Sequence, residues 1–200
     1  MNKRDSRDWT LGLASIRDMR TKLAWEVRQV LEASNRPAPM GENFREGDDQ
    51  AMLFAAANAF VTAWHLMDWL AFHAERDGLW VRLSEIAGVP IADKRDLKAW
   101  LITVPEIRTC LAICVATKHV GLSDRALDDI SLRIPVMFDF YFAGEGDEQR
   151  FASLRTATVV TEIDGYRQTT TVIGLLADLE RWWDWLISKL DLPDYPANLG

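Results

Sequence analysis

Residues 51 to 72 constrain the fold of this 200-residue chain more than any other segment. The run AMLFAAANAFVTAWHLMDWLAF contains no Lys, Glu, Gln, Gly or Pro. Nothing in it breaks a helix, and most of it gains by leaving water. Asp48 or Asp49 can open that helix, because Asp caps the N-terminus and complements the positive end of the dipole. Asp77-Gly78 supplies a stop. The spacing therefore predicts a helix over about 48–75, long enough to cross a whole domain. It is apolar nearly all round, so neighbouring elements are expected to cover it on most sides. A membrane span is disfavoured: His65 and Asp68 are costly in lipid, and Lys/Arg anchors are missing just before the run.

The few polar groups on this helix fall in a pattern. At 100° per residue, Asn58, Thr62, His65 and Arg76 lie within about 60° of one another, with Asp68 and His73 flanking them. The stripe is either the solvent edge of the helix or a buried polar seam; short polar groups in place of Lys, Glu or Gln point to hydrogen bonding with another helix or a ligand, which favours the buried seam. His65 and Asp68 are three residues apart, so the carboxylate can orient the imidazole and raise its basicity. That arrangement serves a structural hydrogen bond or general-base chemistry, and packing is the favoured reading. No second ligand cluster completes a metal site, so neither a metal nor a cofactor is expected.

Other helices follow from the same periodicity. Ile16, Met19, Leu23, Val27, Val30 and Leu31 predict an amphipathic helix over about 15–33. The Pro- and Gly-containing stretch 35–43 breaks it. Shorter helices are expected at 80–87 and 93–103, the latter capped by Asp93. Pro105 opens a helix to about Lys118, and Ser123-Asp124 marks a further turn. From Ile134 the residues become aromatic and β-branched, and Asp164-Gly165 separates two β-rich runs at 157–163 and 166–172, a strong hairpin signal. A loop is expected at 143–148. Leu175, Leu179, Trp182, Trp183, Leu186 and Leu190 define a last helix over about 174–190, with Trp182 and Trp185 packing on the long helix and residues 191–200 as a tail. The expected architecture is mainly α: a single domain over 1–200, a helical bundle around the long central helix, with a small antiparallel β-hairpin subdomain (about 132–172) and a C-terminal helix.

At the end of the fifth helix, Lys118 and His119 suit the negative end of the dipole. If that helix packs antiparallel to the central one, His119 approaches His65 and Asp68. His65, Asp68, Lys118 and His119 are therefore the candidate catalytic cluster, and Asn58, Thr62 and Arg108 the candidate binding residues. The sequence lacks a G-x-S-x-G elbow, a Gly-rich phosphate loop and an H-E-x-x-H pair.

Nine tryptophans imply a Trp-rich core. The net charge of -7 argues against unaided nucleic-acid binding. A basic excess nevertheless occupies the first helix and the residues before it: Lys3, Arg4, Arg7, Arg17, Arg20, Lys22 and Arg28. Cys110 and Cys114, four apart, share a helical face as small buried hydrophobes, and their scarcity fits a reducing, cytoplasmic compartment. The first residues lack the apolar core of a signal peptide.

Ala63-Trp64-His65-x-x-Asp68-Trp69 together with Ala116-Thr117-Lys118-His119, an Asp-Gly hairpin and a Trp-rich last helix resembles a group of uncharacterised bacterial helical proteins. The Lys-His element is also loosely similar to HEPN domains, helical bundles found in RNases, toxins and defence systems. Nucleases of that family place an Arg four to six residues before a His. Here those positions hold Val115, Cys114 and Ile113, so the motif is not intact. The sequence thus implies a noncatalytic binding or accessory protein acting through contacts with protein, self or heterologous, in a defence or mobile-element setting, with no membrane partner. The alternative is a HEPN-like RNase or other hydrolase using the His/Asp/Lys cluster.

Overall fold

The computed structural model describes residues 13–35, 46–118, 130–134, 136–143, 150–163 and 166–192. Among these, the periodic segments form six helices: α1 (Ile16–Ser34), α2 (Glu46–Asp77), α3 (Trp80–Ala87), α4 (Lys94–Leu101), α5 (Pro105–Lys118) and α6 (Val172–Leu190). The same described residues include four strands: β1 (Ile130–Arg133), β2 (Val136–Ala143), β3 (Arg150–Ile163) and β4 (Tyr166–Thr171). The mainly α architecture with a long helix, a small antiparallel sheet and a C-terminal helix is as the sequence implies. The expected features at 36–43, 123–124, 144–148, 164–165 and 193–200 lie outside the described residues, as does His119.

Helix ends follow from local chemistry. Ser15 and Asp18 cap α1 reciprocally: the Asp18 N–H donates to Ser15 Oγ at 3.1 Å, and the Ser15 N–H to Asp18 Oδ2 at 2.9 Å. Gly78, at φ +70°, turns the chain out of α2. Asp93 caps α4 as expected, accepting from the Arg95 and Asp96 N–H groups at 2.8 and 2.9 Å.

The chain divides into two compact units, and the division falls within α1, α2, α5 and α6. The first comprises Met1–Ala24, Val61–Leu111 and Asp178–Gly200. Here α2 runs antiparallel to α1, since Ile16 meets His73 while Lys22 meets Thr62. Lys94 at the start of α4 pairs with Asp68 of α2. Trp100 of α4 packs on Trp182 of α6, with centroids 5.8 Å apart. Arg20 of α1 then closes the ring on Glu180 and Asp184 of α6. Ile16, Leu23, Leu66, Leu70, Leu83, Leu97, Leu101, Leu179, Trp183 and Leu186 are buried in this unit.

The second unit comprises Trp25–Phe60 and Ala112–Ala177 and holds the sheet. β3 is its axis. β1 pairs with Val160 to Ile163 and β2 with Arg150 to Ala157. The register carries through without a slip: Arg133 faces Val160 and Val136 faces Ala157, so β1 and β2 run end to end along one edge of β3. β4 pairs along the other edge, Ile163 facing Tyr166 and Thr158 facing Thr171, which is the hairpin expected around Asp164-Gly165. The sheet exceeds the two or three strands expected, because β3 reaches back to Arg150 and β1 precedes β2. Val30 and Ser34 of α1, Met52 of α2, Ala157 of β3 and Val172 of α6 line one cleft of about 240 Å³ in this unit.

Among the described residues, no single helix is long and apolar enough to cross a membrane, although α4 and α5, bent by 108°, together pass that length and composition test.

Candidate functional site

Two side chains of the expected polar seam turn inward. Thr62 is buried and accepts from the Lys22 ammonium. His73 is 1% exposed, and its Nε2 accepts the Ile16 N–H at 3.4 Å. A buried seam is not what the others form: Asn58 is exposed, His65 is half-buried, and the Asp68 side chain is 44% exposed. The reason is rotational. On an ideal helix Thr62 and His73 lie about 40–60° to one side of the line through Asn58, His65 and Arg76, enough to carry them from the surface into the core.

That line is the outward face of α2, and it mixes polar and apolar side chains. In the first unit it carries Val61, His65, Asp68, Trp69, Phe72 and Arg76. Phe72 is 49% exposed. Trp69 meets it edge-on, centroids 6.5 Å apart, and the Arg76 guanidinium lies 5.6 Å from the Phe72 ring centroid. Asp68 is held by Lys94 Nζ at 2.7 Å. Arg76 grips Asp77 through Nε and Nη2, both at 2.7 Å, and Glu75 accepts the Trp80 indole N–H at 3.0 Å. A half-exposed aromatic ring held by Trp and Arg, with ion pairs around it, has the composition of a binding hot spot. Helical spacing alone marks Arg76 on this stripe, whereas the apolar character of Phe72 signals burial and hides its exposure.

The tryptophans depart from a Trp-rich core in the same direction. Of the eight in described segments, only Trp183 is fully buried. Trp25 and Trp185 are 58% and 44% exposed, and Trp64, Trp69, Trp80, Trp100 and Trp182 are half-buried. Trp182 packs on Trp100 of α4, and its ring centroid lies 6.0 Å from that of Trp185. Indoles settle at the rim because one edge wants water while the other does not.

The basic residues of α1 are largely engaged within the first unit. Arg17 donates to the Leu192 carbonyl from Nε and Nη2, at 3.1 and 2.8 Å. Arg20 forks onto Asp184 and reaches Glu180, and Lys22 bonds Thr62. A cleft of about 470 Å³ opens beside Arg17, Arg20, Thr21, Asp184 and Ser188, and its carboxylates already answer the Arg20 charge.

Of the remaining candidates, Arg108 is half-buried on α5 and Lys118 is the last residue of that helix. His119, on which a hydrolytic cluster with His65 depends, lies outside the described residues. No group of three or more His, Cys, Asp or Glu side chains able to hold a metal occurs among the described residues. Cys110 and Cys114 are buried thiols outside any disulfide, small hydrophobes on one helical face. No protein-family model, no curated protein and no solved structure matches the chain.

Proposed function

We propose that this protein is a noncatalytic binding or accessory protein that works through protein–protein contacts made by the outward face of α2. The observation that carries the reading is Phe72, 49% exposed in the last two turns of α2 and fixed by Trp69 and Arg76. Burying the exposed half of such a ring against a partner recovers about 1 kcal/mol of transfer free energy, and its neighbours limit the ordering cost of binding. Engagement of Arg17 and Arg20 within the first unit supports protein over nucleic acid as the partner. The cytoplasmic setting rests on two buried thiols, and the defence or mobile-element setting on the resemblance to HEPN-containing proteins.

The test is sizing of the purified protein together with capture from its native cells, using wild type and Phe72→Ala. The expected result is self-association or a specific captured protein, lost in the variant. A monomer that captures nothing overturns the proposal.

A further inference from the structure

The charges around Phe72 have a symmetry that deepens the reading above and rests on it. Asp68 and Arg76 stand four residues before and four after Phe72, opposite in sign, on one ridge of α2. When a helix meets a second copy of itself antiparallel about a two-fold axis, residue i faces residue j with i + j constant. Centred on Phe72, that rule sets each Asp68 beside the other copy's Arg76, and the two Phe72 rings against each other. We infer that the outward face of α2 binds a second copy of this chain, as an antiparallel α2–α2 pair about Phe72.

The neighbouring ion pairs extend the match. Asp68 is backed by Lys94 and Arg76 by Asp77. Each side of the contact therefore reads Lys94, Asp68, then the second copy's Arg76 and Asp77, an alternating row with no like charges adjacent. A parallel pairing instead sets Asp68 on Asp68 and Arg76 on Arg76, which like-charge repulsion disfavours. The i, i+4, i+8 ridge through these residues is the one that interlocks in the commonest helix crossing. One ridge buries less than the roughly 1,600 Å² of a standard interface, so association depends on protein concentration.

The experiment is sedimentation velocity over rising concentration, with wild type, Asp68→Arg and Arg76→Asp, each checked for native helicity by circular dichroism. Wild type is expected to pass from monomer to dimer. Each variant alone sets like charges across the interface twice and is expected to stay monomeric. Mixed one to one, the two variants restore an opposite-charge contact at both positions, so a heterodimer is expected. A wild type that stays monomeric throughout, or variants that dimerise alone as well as wild type does, or a mixture that stays monomeric, overturns the inference. A monomeric wild type that still captures a different protein through Phe72 sinks this pairing and leaves the protein-contact reading standing. Failure of both sinks both.

Discussion

The imidazole of His73, deep in α2, accepts the backbone N–H of Ile16, the first residue of α1. One helix thereby caps another across 57 residues of sequence. Because Nε2 spends its lone pair on Ile16, the neutral ring carries its proton on Nδ1, which donates to Asp77 Oδ2 at 3.3 Å; Arg76 Nη2, 3.0 Å from the same nitrogen, directs its own hydrogen bond to Asp77. Burial pushes the His73 pKa down from 6.5, with Arg76 adding to that and Asp77 opposing it. The folded state thus binds this proton less readily than the unfolded chain. Stability from this site is full above the unfolded value near 6.5 and is lost as pH falls through the lower folded value. Asp77, held below the ordinary carboxylate range chiefly by its bond to Arg76, adds a loss in the same direction at more acidic pH. Denaturant midpoints measured from pH 8 to pH 5 are expected to fall, and His73→Phe should flatten that slope. The same variant leaves a buried N–H unanswered, costing about 1–3 kcal/mol, while His73→Gln keeps an acceptor and costs less.

Arg20 ties α1 to α6. Its guanidinium, 18% exposed, forks onto Asp184 and touches Glu180. Burial alone lowers its pKa, but the hydrogen bond and charge of Asp184, with Glu180, outweigh that and hold it above its ordinary value. Arg20→Lys keeps the charge and loses the fork. Replacement by Lys or Ala is expected to cost about 1 kcal/mol, because Asp184 is more than half exposed and solvent screens the pair. Chemical denaturation at low and high salt checks this, with a smaller difference between wild type and variant at high salt.

Trp183 is fully buried, yet its indole N–H has no acceptor among the described residues. Truncation to Ala should cost about 3–5 kcal/mol through the cavity left behind. Trp183→Phe loses volume but also removes a polar group with a desolvation penalty of about 1–3 kcal/mol. Its thermal midpoint should therefore lie much closer to wild type than that of Trp183→Ala.

Asp93 bonds the Arg95 and Asp96 N–H groups at the start of α4, so Asp93→Ala should destabilise by about 1 kcal/mol and Asp93→Asn by less. Equilibrium unfolding of the two variants side by side measures that difference.

Helices were legible wherever period and punctuation agreed. Leu23, Val27 and Val30 marked the buried stripe of α1, Asp93 its cap on α4, and Pro105 the start of α5. The β3–β4 hairpin was legible from Asp164-Gly165 between β-branched runs, whereas the first half of β3, RFASLRT, has no clean alternation to announce a strand. The orientation of α2 was not legible. Its composition is apolar on every side, so periodicity could not separate buried Leu66 and Leu70 from exposed Phe54 and Phe72. Partners distant in sequence decide that, and Lys94 on Asp68 or Ile16 on His73 leave no local signature.

Site-specific photo-crosslinking at position 72 tests the central claim most directly. A photoreactive phenylalanine analogue replaces Phe72 in the native host, with Val89, 47% exposed on the same unit, as the comparison position. The account predicts a discrete protein adduct at 72, either a second copy of the chain or another protein, and none at 89. No adduct at 72, or the same adducts at both positions, contradicts it.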